Sequence, residues 1–236
     1  MPVTTETVSV PTPDGAMDLF VARPESAGPG LVVLQEAFGV NDHIKDVTRR
    51  FAAEGYLAVA PDLFHRAAQR TIPYDQVREA IGAVMQLTDD MVMADINAAI
   101  GWLRSQPGTG KIGVLGYCFG GRSAYLAATR SREIAAAVGY YPGGAADPRN
   151  PDAPVTHTAD IAVPILLFFG GQDRMVPVDQ VAAIDAALKA HGKSYQLKVY
   201  PEAGHGFFCD ARESYDPAAA SDAWSLTLEF LAKHLR

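Results

Sequence analysis

Two alternating runs open the chain. In TVSVPTPDGAMDLFVARP apolar and polar positions exchange with a period of two on either side of Pro13, Asp14 and Gly15. Successive side chains of a strand point to opposite faces, so this pattern predicts a β-hairpin closed at that turn. Beyond it the pattern changes to short apolar runs: Leu31 to Gln35, Leu57 to Ala60, Ile112 to Leu115, Ala135 to Tyr140, Ile165 to Phe169 and Tyr195 to Tyr200. Such runs are those of buried strands. With the hairpin they make about eight strands.

Between these runs the apolar spacing lengthens to that of a helix. Ile44, Val47 and Phe51 recur before Gly55; Met93, Ile96, Ile100 and Leu103 recur before Pro107; Val181, Ile184 and Leu188 lie between Pro177 and Gly192; Trp224, Leu228, Leu231 and Leu235 close the chain. Each set marks one helix face and each is followed by a helix-stopping residue or the terminus. A segment through Arg130 completes the pattern after the strand ending at Leu115. Strands alternating with helices predict a mostly parallel sheet with helices on both faces, an α/β architecture. The stretch from Phe64 to Thr88 is less regular, and Asp62 to Arg70 reads as a loop over the sheet edge. No repeat, low-complexity tract or long linker divides residues 1–236, which read as a single domain.

Composition narrows the function. Apolar residues are 48% of the chain and charged residues 20%, as in a packed globular protein. The formal charge of -7 argues against nucleic acid, whose partners carry clustered Lys and Arg. No run approaches a membrane span, and MPVTTETVSV has no signal-peptide pattern, so the expected address is cytoplasmic. Cys118 and Cys209 are the two cysteines, with no His or Cys near them at ligand spacing, so no zinc site, metal or cofactor is expected. A monomer or weak homo-oligomer is expected.

In an open parallel sheet, ligands gather at the carboxyl ends of the strands. Directly after KIGVL stands Gly116-Tyr117-Cys118-Phe119-Gly120-Gly121. This is a nucleophile elbow with Cys in place of the more common Ser, and its glycines let strand and helix approach closely. At a helix N-terminus the sulfur is favoured as thiolate, and the Phe119 N–H can serve an oxyanion. A cysteine merely buried in a glycine-rich turn is the alternative. After PILLFF comes Asp173, and after YQLKVYPEA comes His205 between Gly204 and Gly206. Alone, Asp173 could be a turn or capping residue and His205 one of six ordinary histidines. Nucleophile, acid and histidine nevertheless follow three strands in the chain order of α/β-hydrolases.

Glu36 ends a further strand and begins EAFGVN. With GYCFGG, GGQD, GHGF and the PDLF segment from Pro61 to Phe64, it makes the chain resemble the dienelactone hydrolases, or carboxymethylenebutenolidases, from about Leu31 to the final helix. The resemblance implies an α/β-hydrolase fold and a catalytic Glu36 that helps turn the thiol into thiolate when substrate arrives. A structural ion pair is the plainer role for that carboxylate. The Ala37 N–H, just past the strand, is expected as the second oxyanion donor. The family grips its substrate's carboxylate with two arginines. Arg78 is matched to the first, Cys209 stands in place of the second, and Arg212 lies nearby but out of register.

A thiolate is itself a good leaving group, so its attack favours carbonyl compounds whose leaving oxygen is stabilised, such as an enol. The expected activity is hydrolysis of enol lactones or activated esters, of the dienelactone-to-maleylacetate type, through a cysteine acyl-enzyme. A broader carboxylesterase or thioesterase using the same residues is the alternative. A binding protein that kept the fold, or a redox-sensing thiol protein, forms the remaining class; the intact acid, base and elbow weigh against the former, and a sensor wants an accessible resolving thiol.

Overall fold

In the computed structural model, which describes residues 3–236, the hairpin consists of β1 (Thr4–Thr12) and β2 (Gly15–Arg23), paired antiparallel with Thr12 opposite Gly15. Six further strands follow: β3 (Gly30–Leu34), β4 (Leu57–Pro61), β5 (Ile112–Tyr117), β6 (Ala136–Tyr140), β7 (Ile165–Gly170) and β8 (Tyr195–Tyr200). They form one eight-stranded sheet in the order β1-β2-β4-β3-β5-β6-β7-β8. From β4 onward across the sheet every pairing is parallel. Every strand read from the sequence is present, with ends shifted by a residue or two.

The helices are α1 (Asp42–Ala53), α2 (Val77–Val84), α3 (Asp89–Ser105), α4 (Phe119–Arg130), α5 (Val178–Ala190) and α6 (Pro217–Leu235). Period-two geometry sorts the central strands onto two cores. Val32, Leu34 and Val114 pack with Ile96 of α3 and Leu126 of α4. Leu31, Val33 and Leu115 point the other way, against Val47 of α1 and Leu231 of α6. Burying each such side chain contributes about 1.5–3 kcal/mol before the entropy of ordering it is subtracted. Helix entries are fixed locally: the Asn41 side chain accepts from the Ile44 N–H and Thr88 from Met91, which satisfies donors that have no intrahelical partner.

The irregular stretch contains α2, a helix of which only Ala80 is buried. Its stripe of Val77, Ala80, Ile81 and Val84 is written over only two turns, too short to stand out from the irregular sequence around it. A short 3₁₀ segment at Pro154–Asp160 also carries no apolar period. The loop after Asp62 leaves the carboxyl end of β4 and reaches the hairpin at the sheet edge, where Arg66 bonds Asp14 at 3.0 Å and Arg70 bonds Asp18 at 2.8 Å. Arg66 anchors it by two hydrogen bonds to the buried Asp95 of α3, at 2.7 and 2.9 Å. A third small apolar cluster, Phe38, Phe64, Ile72 and Ala80, seats α2 beyond that loop.

Candidate active site

The turn between β5 and α4 sets Cys118 at φ 54°, ψ -114°, a left-handed backbone that costs a residue with a Cβ about 1–3 kcal/mol. The Cys118 N–H donates to the Tyr140 carbonyl at 3.0 Å, and the Cys118 carbonyl accepts from Arg122 at 3.0 Å. Glycine is obligatory around it. A Cβ on Gly120 would run into the Leu34 and Gln35 carbonyl oxygens, and one on Gly121 into the Tyr140 carbonyl oxygen. Helix and sheet therefore meet backbone to backbone, and the cysteine projects from the apex. Phe119 is the first residue of α4, where an N–H has no intrahelical acceptor. Ala37, Phe119 and Cys118 line one cleft.

His205 and Asp173 come together from the ends of β8 and β7. The imidazole Nδ1 and Asp173 Oδ2 are 2.7 Å apart. The other carboxylate oxygen, Oδ1, accepts the N–H groups of Met175 at 2.7 Å and Val176 at 3.0 Å. Asp173 thus serves both as the turn residue its local sequence suggests and as the partner of the imidazole. His205 Nε2 is buried and has no hydrogen-bond partner among the described residues. Burial works to lower the His205 pKa, but negative charge on Cys118 and the bond to Asp173 outweigh it and push the group up to about 10. An imidazole so held can exchange a proton with a neighbouring sulfur or with a leaving oxygen.

Glu36 is fully buried. Its Oε1 accepts long hydrogen bonds from the Tyr141 hydroxyl at 3.5 Å and the Arg212 guanidinium at 3.4 Å, and Oε2 has no partner among the described residues. A buried carboxylate with one idle oxygen and two stretched contacts is left with unused hydrogen-bonding capacity. Arg212 lies over the rings of Phe38 and Tyr74, with guanidinium carbon to centroid distances of 5.5 and 5.9 Å. A Cβ at Gly206, where φ is 80°, would strike that guanidinium. The out-of-register arginine therefore points inward beside His205, and both line a second cavity of about 480 Å³. Arg78 is exposed in the first turn of α2 and lines neither this cavity nor the cleft at Cys118.

Tyr141 carries no expectation in the sequence reading, although it follows β6 at the same sheet end. Its backbone has φ 36°, its hydroxyl meets Glu36, and its ring lies edge-on to His205 at 5.0 Å. Its signal was positional, since it is the first residue past a run already read as a strand. Tyr74 donates to or accepts from the Cys209 sulfur at 3.2 Å. Cys209 is buried, and burial followed by the charge of Glu36 pushes its thiol up to about 11, which suits it poorly to resolving an oxidised Cys118. Neither cysteine is in a disulfide. His43, Cys209 and Asp210 bring one potential metal-donor atom each within 4.8 Å of one another, a grouping that sequence spacing does not reveal because His43 comes from α1. Asp210 is largely exposed, and its Oδ1 stands 3.6 Å from His43 Nδ1.

A family model for dienelactone hydrolases matches residues 17–235. A Salmonella typhimurium protein provisionally named a carboxymethylenebutenolidase is 35% identical over 232 residues, covering 96% of this chain and 86% of that one. A Bradyrhizobium protein provisionally named a 2-oxo-3-(5-oxofuran-2-ylidene)propanoate lactonase is 33% identical over 223 residues, 92% of this chain and 89% of its own. Among solved structures, a Klebsiella pneumoniae protein provisionally titled a dienelactone hydrolase superposes with a TM-score of 0.90 at 32% identity. It covers 99% of this chain and 100% of that one.

Proposed function

For a chain that belongs to the dienelactone hydrolase family, and is therefore a hydrolase of esters or lactones, we propose cleavage of enol lactones and activated esters through an acyl-enzyme on Cys118. The reading is carried by one observation: a buried imidazole, held by Asp173 at 2.7 Å, whose free nitrogen has no other partner and which feels the charge of a strained elbow cysteine.

The Cys118 thiolate attacks the carbonyl carbon, and the oxygen that gains the electron pair is received by the Phe119 and Ala37 N–H groups. The carbon–oxygen bond to the leaving group then breaks as His205 Nε2–H supplies its proton. Water attacks the thioester, gives a proton to His205, and releases the acid and the thiolate. Glu36 accepts the thiol's proton when substrate arrives, which leaves His205 paired to Asp173. The long contact between Arg212 and Glu36 supports a further role: a substrate carboxylate that draws Arg212 toward itself frees Glu36 for that proton. Arg212 rather than the exposed Arg78 is the better-placed cation for such a group.

Because thiolate expels itself readily, only a good leaving oxygen carries the intermediate forward. Assays of cis- and trans-dienelactone beside p-nitrophenyl acetate and ethyl acetate test this. The lactones and the nitrophenyl ester should exceed the ethyl ester by about a hundredfold in kcat/KM, or about 2.7 kcal/mol of barrier. Comparable rates on all four would make leaving-group stabilisation irrelevant and the proposal wrong.

A further inference from the structure

The cleft that opens on Cys118 has a second wall with a composition of its own. It measures about 480 Å³, and beyond Ala37 and Phe119 it is bounded by Ile81, Val84, Met85, Leu87 and Met175. Three of these are conspicuously uncovered for apolar side chains: Ile81 is 44% exposed, Met85 76% and Met175 48%. They come from two separate elements, α2 with its C-cap and the loop after β7, and converge on the same opening. Scattered exposed apolar residues need no explanation, but a cleft of small-molecule size lined by them, with a reactive sulfur in its wall, does.

The charges along the cleft are already spent. Arg122 is bound by Asp89 through two hydrogen bonds at 2.6 and 3.1 Å, and Arg149 by Asp147 at 2.9 and 2.8 Å. Each guanidinium is matched by a carboxylate of its own at 3.1 Å or less, so an incoming anion has to compete with that carboxylate. The available cation, Arg212, lies in the other cavity, beside His205. Polar recognition and apolar surface are thus divided between the two sides of the thiol.

We infer that this cleft is an apolar acyl subsite for open-chain activated esters, among which it selects those whose carbonyl carries an uncharged hydrocarbon chain of several carbons, with Ile81, Met85 and Met175 as its specificity-determining side chains; a lactone, whose leaving oxygen stays on its acyl chain, keeps its carboxylate on the Arg212 side instead. The inference rests on the reading of Cys118 as the acylated group and narrows its substrate class. The flexible thioethers of Met85 and Met175 accommodate chains of differing shape. A carboxylate at the chain's far end would meet apolar wall and paired arginines, and would lose water without gaining a partner.

Two arms test it. In the wild-type enzyme kcat/KM is measured for p-nitrophenyl acetate, butanoate, hexanoate and the hydrogen adipate, whose chain ends in a carboxylate. A rise of about tenfold or more from acetate to hexanoate is expected, with the adipate well below the hexanoate. Met85→Glu and Met175→Glu, each checked for an intact thermal transition, should reduce the hexanoate-to-acetate ratio about tenfold. In the second arm, binding of methyl hexanoate and methyl acetate to Cys118→Ala is followed by ligand-observed NMR, with hexanoate expected to bind about tenfold more tightly. Rates and affinities indifferent to chain length, or an adipate preferred over the hexanoate, would overturn the subsite. If the covalent reading alone were wrong, turnover would survive in Cys118→Ala while the binding preference remained, so the two failures separate.

Discussion

At Cys118 the backbone explains more than the side chain does. A left-handed φ of 54° at a non-glycine residue is tolerated because the Tyr140 carbonyl and the Arg122 N–H hold the peptide on both sides. His205 shows the electrostatic counterpart. Its pKa is pushed up to about 10 against the opposing effect of burial, chiefly by charge on Cys118 and then by Asp173. The free imidazole titrates near 6.5, so the folded value lies above the unfolded one. Protonation of His205 therefore stabilises the fold fully below about pH 6.5, and that contribution is lost as the pH rises through about 10. In Cys118→Ala the first of the raising influences is gone. NMR titration of the His205 ring should find a clearly lower midpoint in the variant, and a shallower loss of stability above neutral pH. Identical midpoints would mean that the sulfur's charge does not reach the imidazole. These residues were legible because each stands a few residues past the end of a run read as a strand, next to glycine or a glycine-rich turn. Tyr141 follows one too, yet a lone tyrosine has no pattern of its own to attract a reading.

Among the elements, the turn joining β5 to α4 is where sequence dictates geometry most strictly. Gly120 faces the carbonyl oxygens of Leu34 and Gln35, and backbone cannot step aside as a flexible side chain can. Gly120→Ala should force α4 off the sheet at an overpacking cost of about 1–3 kcal/mol, a fall in Tm of roughly 2–10 °C. It should also cut turnover far more than Asn41→Ala, which removes a helix cap worth about 1 kcal/mol at α1. Differential scanning calorimetry with steady-state assays checks both. An active, unshifted Gly120→Ala would mean that the close approach is not required. The strands and the long helices were legible because their burial imposes a period of two or 3.6. By contrast, α2 writes its period of Val77, Ala80, Ile81 and Val84 over only two turns and buries one residue of it, and it is this helix that supplies Ile81 and Val84 to the cleft. Arg78, one turn before Ile81, shows the limit of aligning such a segment by motif alone.

Across the whole molecule, the strand order gathers distant sequence at one end of the sheet. Glu36 and Cys118 leave the neighbouring strands β3 and β5, Asp173 and His205 leave the neighbours β7 and β8, and β6 between them delivers Tyr141. Chain order singled out Cys118, Asp173 and His205 as candidates, and the family resemblance added Glu36. Neither could reveal that Arg212, displaced from the family's register, folds back over Gly206 to reach Glu36, since that depends on the three-dimensional course of the loop after Phe208. The grouping of His43 with Cys209 and Asp210 was hidden for the same reason. No helix among the described residues is long and apolar enough to cross a membrane. What unites these features chemically is the sulfur at the apex of the turn. Rapid quenching of the enzyme with p-nitrophenyl acetate, followed by digestion and mass spectrometry, asks directly where the acyl group goes. The expected result is an acetyl group on the peptide containing Cys118, accumulating when His205 is replaced by Ala; acetylation of a serine instead, or steady turnover with no acyl group on Cys118, would refute it.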